Sequence, residues 1–170
     1  MQKNNKKVNK NIISVVIPIF NNEKTIEKVI ANLPAYVNNI IAIDDASTDH
    51  SFMILKRMNN PKLIILRHIN NQGVGGAMLS GYSKAIQLGS DIIIKVDGDD
   101  QMDPDEMCEL IKPIVLGEAD FCKGNRFIHS KELNYMPFIR RVGNFALTFL
   151  TKLVSGYWDI FDPTNGYICI

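Results

Sequence analysis

Several features of membrane-spanning and secreted proteins are missing from this 170-residue sequence. No window contains 18 consecutive apolar residues, and the lysine- and asparagine-rich start is not followed by the apolar segment of a signal peptide. The three cysteines show neither CxxC nor Cys/His metal spacing, which indicates free thiols, buried as small apolar side chains, in a reducing compartment. These absences predict a cytoplasmic protein.

A strong excess of either charge is also missing. The formal net charge is +1, which argues against a general nucleic-acid-binding protein. Hydrophobic residues make up 46% and charged residues 22%, a composition typical of a globular domain rather than a disordered chain. The charges are nevertheless unevenly placed, because residues 91–120 carry ten acidic side chains and two lysines whereas the residues from 121 onward have a local charge of +3. This arrangement suggests a cation held next to an anion.

Apolar β-branched runs alternate with segments of helical periodicity along the chain. The predicted strands are 12–17, 40–43, 63–66, 92–96 and 119–122, and the predicted helices are 21–34, 48–58, 75–88 and a helix that begins near Asp103. Short connections between them predict a mostly parallel, doubly wound α/β sheet covered by helices on both faces. We expect residues 1–11 to form a flexible tail and residues 12–170 to form one domain. Asn21 or Asn22 is predicted to cap the first helix and Gly89 to end the third.

Acidic residues set two apart follow the fourth long predicted strand. Asp97 and Asp99 would repel each other at a strand end unless they were paired, and a divalent cation would remove this conflict. Together with the amide of Gln101, they predict a site for Mg²⁺ or Mn²⁺, which keep open positions for phosphate oxygens. An acidic turn that caps a helix is the alternative interpretation, and it is favoured for Asp103 and Asp105.

A second acidic pair, Asp44 and Asp45, ends the second predicted strand. Ligands of doubly wound sheets bind beyond the carboxyl ends of the strands, and acids at this position commonly accept hydrogen bonds from the base or ribose of a nucleotide. The two residues are therefore candidates for nucleotide recognition.

The segment from Gly73 to Gly76 is rich in glycine but does not fit a dinucleotide-binding motif, because Met78 stands where the third glycine would fall. Small residues at this point predict a loop that passes close to a bound ligand and then begins a helix. The free N–H groups at such a helix start favour a phosphate or a sugar hydroxyl.

The motifs taken together resemble the family 2 inverting glycosyltransferases, which have the GT-A fold. The resemblance is carried by residues 15–23, 43–49, 71–77 and 97–101. The Asp-x-Asp-x-Gln form of the last segment, with residues 124–127 and 162–167, is most similar to the branch that includes dolichyl-phosphate mannosyltransferase and the polyprenyl-phosphate sugar transferases. The implied fold is a Rossmann-like three-layer α/β/α sandwich with a mostly parallel central sheet.

The resemblance implies metal-dependent, inverting transfer of a sugar from a UDP- or GDP-type donor to a polyprenyl phosphate or a glycan hydroxyl. The predicted nucleotide-sugar-binding residues are Pro18, Phe20, Glu23, Asp44, Asp45, Gly73, Gly76 and Asp97. The implied metal ligands are Asp97, Asp99 and Gln101. Arg126 would face phosphate, and with Asp99 it is a candidate catalytic residue. Asp162 is the candidate base if the acceptor is a hydroxyl, although a turn-forming Asp-Pro is an equal alternative.

Residues 136–158 combine many apolar side chains with Arg140, Arg141 and Lys152. One interpretation is a buried core helix. The other is an amphipathic helix on a membrane surface, which would give the protein a peripheral location on the cytoplasmic face, next to a lipid-phosphate acceptor.

Two alternative functions stay open at this point. The sequence ends at Ile170, where members of the resembled branch continue, so one interpretation is that the domain is truncated at its C-terminus. A catalytically silent nucleotide-binding domain is therefore the first alternative. A sugar-phosphate nucleotidyltransferase would share the sheet and the metal requirement. It is the weaker alternative because its glycine-rich, basic loop after the first strand is missing.

Overall fold

The computed structural model describes residues 11–124 and 166–170, with a few individual positions between 143 and 156. The chain divides into two compact units, one formed by Met1–Cys122 with Tyr167–Ile170 and the other by Lys123–Gly166. The predicted tail falls almost wholly outside the described residues and stays a prediction. Among the described residues, no helix has the length and hydropathy needed to span a membrane.

Strands and helices alternate along the described chain as the sequence predicts. The strands are β1 (Ile13–Ile19), β2 (Asn39–Asp44), β3 (Leu63–Arg67), β4 (Ile92–Lys95), β5 (Cys122–Lys123) and β6 (Ile168–Cys169). The helices are α1 (Ile26–Ala31), α2 (Ser51–Arg57), α3 (Gly73–Gln87) and α4 (Met107–Leu116), the last preceded by a 3₁₀ turn (Pro104–Glu106). No sequence pattern predicted the two-residue strand β6.

The strands form one six-stranded sheet in the order β3-β2-β1-β4-β6-β5. β1 pairs in parallel with both β2 and β4, and β2 pairs in parallel with β3, whereas β6 runs antiparallel to β4. The mostly parallel α/β sheet is therefore confirmed. The strand order extends from β1 through β2 to β3 on one side, and β4 lies on the other side of β1. The order therefore reverses at β1 and β4, and such sheets bind ligands beyond the carboxyl ends of the strands at this topological switch point.

Helices cover both faces of this sheet, as expected for a three-layer fold. Along β1, Val15 and Ile17 pack into a core with α1, α2 and α4, while Val16 faces the core under α3. On that second face Gly81 of α3 lies against β1 so closely that an added Cβ would sit 2.3 Å from Cγ1 of Val16. Glycine is thus required where α3 meets the sheet.

The helix ends agree with the sequence in two places and differ in one. Gly89 follows α3 with φ of +70°, and Asp103 accepts a hydrogen bond from the N–H of Asp105 at 2.9 Å, both as predicted. The first helix instead begins after Thr25, so the capping role predicted for Asn21 or Asn22 is wrong. The physical reason is that both side chains accept other hydrogen bonds, Asn21 from the N–H of Thr48 in the loop after β2 and Asn22 from the N–H of Phe20 in its own loop.

The cysteines only partly match the expectation of buried thiols. Cys169 is buried and Cys122 is half-buried, but Cys108 is exposed, so the expectation is wrong for Cys108. Burial raises the pKa of Cys169 to about 12, with a further contribution from the neighbouring Cys122. That thiol is therefore un-ionised at neutral pH and acts as a core side chain.

Candidate functional site

A cavity of about 410 Å³ lies at the carboxyl ends of β1, β2 and β4. Its lining residues are Pro18, Ile19, Phe20, Asn22, Asp45, Asn71, Gly73, Val74, Ala77, Asp97, Gly98 and Asp99. Six of these were predicted from the sequence as donor-site residues. The cavity lies at the topological switch point, where three separate loops and the start of α3 meet.

Side-chain hydrogen bonds fix the loop after β1 to the loop after β2. The N–H of Asn21 donates to Oγ of Ser47 at 3.1 Å, and Oδ1 of Asn21 accepts from the N–H of Thr48 at 2.9 Å. The N–H of Asn22 donates to Oγ of Ser51 at 2.8 Å. Asn21 itself has φ of +56°, a conformation that asparagine tolerates better than most residues. The residues that flank the cavity on this side are therefore held in place before any ligand binds.

The loop after β4 packs directly on the loop after β1. The hydroxyl of Thr25 donates to the carbonyl of Gly98 at 2.5 Å, and Lys28 forms an ion pair with Asp100. An added Cβ at Gly98 would lie 3.1 Å from Oδ1 of Asn22, which is tighter than an ordinary contact. Glycine at this position thus lets the two acids on either side of it reach the cavity.

Both of those acids, Asp97 and Asp99, line the cavity. Oδ1 of Asp97 accepts from Nζ of Lys95 at 2.5 Å, and Oδ1 of Asp99 accepts from the N–H of Gln101 at 3.2 Å. Within the described residues, Oδ1 of each carboxylate therefore contacts a protein group, and Oδ2 of each carboxylate has no hydrogen bond to the protein. Asp99 is exposed, and the side chain of Asp97 is one-third exposed.

These carboxylates fit a metal site that the substrate completes. No group of three or more His, Cys, Asp or Glu side chains within the described part of the chain is placed to hold an ion by itself. Mg²⁺ and its analogues are commonly bound through one or two carboxylates together with substrate phosphates, which is the set that Asp97 and Asp99 could provide. Gln101 lies outside the cavity lining with an exposed side chain, so its role as a ligand stays a prediction.

Asp45 lies on the opposite side of the cavity and is only 3% exposed. Its Oδ1 accepts from Nδ1 of His68 at 2.6 Å and from the N–H of Gln72 at 2.9 Å. Burial raises the pKa of Asp45, but hydrogen bonds from the Gln72 N–H, the His68 ring and the Gly73 N–H outweigh this effect, so the pKa is lowered overall. The carboxylate is therefore ionised and anchored by one oxygen.

Asp44 was the competing candidate for base recognition, and the structure places it outside the cavity lining. It is fully buried, its Oδ1 accepts from the N–H of Ser47 at 3.3 Å, and its Oδ2 faces Nε of Arg67 at 3.0 Å in an ion pair that lacks hydrogen-bond geometry. The Arg67 guanidinium also stacks over the ring of Phe52 at 4.1 Å. These contacts tie Asp44 to the protein rather than to the cavity.

The remaining predicted residues fall into two groups. Glu23 and Gly76 are described but lie outside the cavity lining, and Glu23 accepts from both the N–H and Nδ1 of His50 at 3.0 and 2.9 Å. Arg126 and Asp162 lie outside the described residues, as does most of the segment 136–158. Their proposed roles stay predictions.

His68, which bonds to the lining residue Asp45, was not identified from the sequence, where it is interpreted as an ordinary histidine near a strand end. A lone histidine has no spacing signal, and its two partners lie 23 and 12 positions away in the chain. Only the fold brings them together.

Comparison with known proteins places the chain in a family. It is 37% identical over 170 residues to a UDP-N-acetylglucosamine–dolichyl-phosphate N-acetylglucosaminyltransferase from Methanococcus voltae, covering 91% of this chain and 67% of that protein. It is 22% identical over 159 residues to an undecaprenyl-phosphate mannosyltransferase from Micrococcus luteus, covering 91% of this chain and 64% of that protein.

The fold is shared with a solved Mycobacterium tuberculosis glucosyl-3-phosphoglycerate synthase in complex with Mn²⁺, uridine diphosphate and glucosyl-3-phosphoglycerate. The TM-score is 0.69 at 21% identity, and the match covers 96% of this chain and 58% of that one. The chain thus spans about two-thirds or less of these relatives. The model of glycosyl transferase family 2 matches residues 14–169. The chain belongs to glycosyl transferase family 2.

Proposed function

We propose that this chain binds a UDP-type sugar donor in the cavity at the carboxyl ends of β1, β2 and β4 and transfers the sugar, with inversion and with a divalent ion, to a polyprenyl phosphate. The observation that carries the proposal is that one cavity holds two kinds of carboxylate. Asp45 is anchored on one side, and Asp97 and Asp99 keep oxygens available on the other. A nucleoside diphosphate needs both an acceptor for its base and a cation for its phosphates.

The donor would lie across the cavity with its base near Asp45 and its diphosphate near Asp99. An ionised carboxylate accepts an N–H of a base such as uracil, and the N-terminal turn of α3 begins at Gly73 beside it. A divalent ion held by Asp97 and Asp99 would neutralise the charge that builds on the leaving diphosphate. Asp97 and Asp99 contribute to rate because this charge is larger in the transition state than in the bound donor.

The acceptor is proposed from the relatives' names, because two of them are named for transfer to dolichyl or undecaprenyl phosphate. A phosphate oxygen is already anionic and needs little help from a general base, so Asp162 would be needed as a base only for a hydroxyl acceptor. Large apolar side chains at described positions of the predicted helix 136–158 are at least half exposed, which favours peripheral contact with the membrane that holds such a lipid. They are Leu147, Phe149, Leu150, Leu153 and Val154.

A catalytically silent domain that only binds nucleotide is the second candidate. Binding experiments do not separate the two candidates, whereas turnover does.

The test is a transfer assay with this chain, UDP-N-acetylglucosamine or GDP-mannose, Mn²⁺ and a short polyprenyl phosphate in detergent. We expect nucleotide release that depends on the lipid phosphate and on Mn²⁺, and a product whose anomeric configuration is opposite to that of the donor. EDTA should abolish release. Nucleotide binding with no lipid-dependent release would support the silent domain, and release with retained configuration would contradict the inverting mechanism.

A further inference from the structure

A hydrogen-bonded chain of three side chains leads from the cavity into the protein. Nδ1 of His68 lies 2.6 Å from Oδ1 of Asp45, and Nε2 of His68 lies 2.8 Å from Oγ of Ser80. The His68 side chain is 10% exposed and that of Asp45 is 4% exposed. Asp45 is the residue after β2, His68 is the residue after β3, and Ser80 lies in the middle of α3, so the tertiary fold brings the three groups together.

The chemistry of the three groups fixes the position of the protons. An ionised carboxylate only accepts, so Nδ1 of His68 carries the proton that it donates to Asp45. In the neutral ring Nε2 then accepts from the hydroxyl of Ser80, and in the charged ring it donates to the same hydroxyl, which can rotate to suit. Ser80 therefore holds the ring plane in either charge state.

The order acid–histidine–serine also occurs in serine hydrolases, but Ser80 is not placed as a nucleophile. It lies eight residues into α3, a helix of 15 residues, where the backbone N–H groups donate within the helix. A hydrolase needs N–H groups aimed at the oxygen of the tetrahedral intermediate. The three side chains instead act on Asp45, because the His68 ring holds the Asp45 carboxylate in place.

We propose that His68 is a positioning residue for the donor base, with Ser80 as its support. The ring and the N–H of Gln72 both bond to Oδ1 of Asp45, a residue that lines the cavity, so rotation of the carboxylate is restricted and Oδ2 would be the oxygen that meets the base. This inference rests on the proposed function. It adds that recognition of the base depends on two residues outside the cavity lining.

The inference specifies the class of base that fits. A fixed carboxylate oxygen binds a ring N–H, which uracil offers at N3 and guanine at N1, whereas N3 of cytosine is an acceptor and would face the carboxylate unfavourably. A carboxylate that is free to rotate would discriminate less, because it could turn its oxygens away from cytosine. The ratio of UDP affinity to CDP affinity therefore measures how firmly the Asp45 carboxylate is oriented, independently of the overall strength of nucleotide binding.

The experiment measures binding of UDP and of CDP by calorimetry at saturating Mn²⁺ for wild type, His68→Ala, His68→Asn and Ser80→Ala. We expect His68→Ala to lose about tenfold in UDP affinity and little in CDP affinity, because a hydrogen bond to a charged group is removed. His68→Asn should recover part of the loss, since its amide can donate from near the position of Nδ1. Ser80→Ala should lose about threefold, and should have no further effect in the His68→Ala background.

Ser83→Ala is the matched control. Ser83 lies one turn further along α3, and its hydroxyl donates only to the carbonyl of Leu79 at 2.8 Å. It should bind both nucleotides as wild type does. If His68→Ala does not fold, as judged by its melting curve, the His68→Asn and Ser80→Ala comparisons decide the matter.

Two results would overturn the inference. The first is a His68→Ala protein that binds UDP as tightly as wild type, and the second is one that loses UDP and CDP affinity equally, which indicates general damage to the site. In both cases wild type still binds UDP, so the proposed function survives. A wild-type chain that binds neither nucleotide would overturn the proposed function and this inference together.

Discussion

The chain has two aspartate pairs at the ends of β2 and β4, the strands on either side of β1, and the two pairs are built differently. In the pair after β2, both carboxylates are buried and held by protein groups, Asp44 by Arg67 and Asp45 by His68. In the pair after β4, Asp99 is exposed and, within the described ranges, its side chain meets only the backbone N–H of Gln101. A buried carboxylate that protein groups hold in place is rigid and selects a neutral hydrogen-bond donor, whereas an accessible one can give its oxygens to a cation. The surroundings, rather than the residue type, separate the two roles.

The largest effect should come from the accessible pair. We expect Asp99→Asn to lower the turnover of donor by about 100- to 1,000-fold, because stabilisation of the leaving diphosphate is lost in the transition state. The measurement is steady-state nucleotide release with Mn²⁺ and lipid phosphate. Asp105→Asn is the control, since Asp105 is an exposed acid of the same segment that does not line the cavity. Equal turnover by the two variants would contradict the assignment.

The buried pair should act on affinity instead. Asp45→Asn is expected to weaken UDP binding by about 10- to 100-fold, because a charge-assisted hydrogen bond to the base is lost. Asp44→Asn should lower stability but leave UDP affinity within about twofold of wild type. The reason is that, among the described residues, Asp44 contacts other protein groups and does not line the cavity. Calorimetric titration with UDP checks both variants. A greater loss of affinity for Asp44→Asn would reverse the assignment of the two acids.

The contacts of Asp44 predict a smaller, purely structural effect. Arg67→Ala should lower the free energy of unfolding by about 2 kcal/mol, because it leaves a fully buried carboxylate without its cation. Urea denaturation measures the difference. Lys56→Ala is the matched control, because Lys56 also lies over the ring of Phe52 but pairs with no buried acid in the part of the chain that the structure describes. Equal destabilisation by the two changes would show that the stacking on Phe52, and not the ion pair, matters.

The smallest effect concerns pH. For Asp45 and Asp49, burial raises the pKa, but hydrogen bonds lower the pKa by more than burial raises it. Both carboxyl groups therefore have lowered pKa values in the folded state. Their contribution to stability is therefore fully present above the ordinary aspartate pKa near 4 and is lost as the pH falls through the lowered values. We expect the urea midpoint to be constant from about pH 7 to 5 and to fall below about pH 4. The fall should be shallower in Asp45→Asn, and an identical fall would contradict the contribution of Asp45.

The sequence predicted those parts of the fold that depend on local pattern. The apolar runs of β1 to β4 and the cap at Asp103 were read correctly, because strand burial and capping act over a few residues. The antiparallel strand β6 has only two residues and was missed, because its pairing with β4 depends on a contact between Ile94 and Cys169 that no local pattern encodes.

The candidate site was predicted in the same uneven way. Asp45, Asp97 and Asp99 were named from the sequence and meet in one cavity, since all three stand at the ends of parallel strands. The choice between Asp44 and Asp45 could not be made, because adjacent residues of a strand point to opposite faces and the sequence does not say which face holds the ligand. His68 could not be found at all, because its role depends on partners distant in the chain.

The central claim is that Asp97 and Asp99 bind a divalent ion together with the donor diphosphate. The most direct measurement is the affinity of the wild-type chain for UDP as Mn²⁺ is added to protein first treated with EDTA. The account predicts that UDP binding tightens at least about tenfold as Mn²⁺ saturates, because Asp97 and Asp99 would hold the ion and the ion would neutralise charge on the diphosphate. UDP affinity that is the same with EDTA and with saturating Mn²⁺ would contradict it.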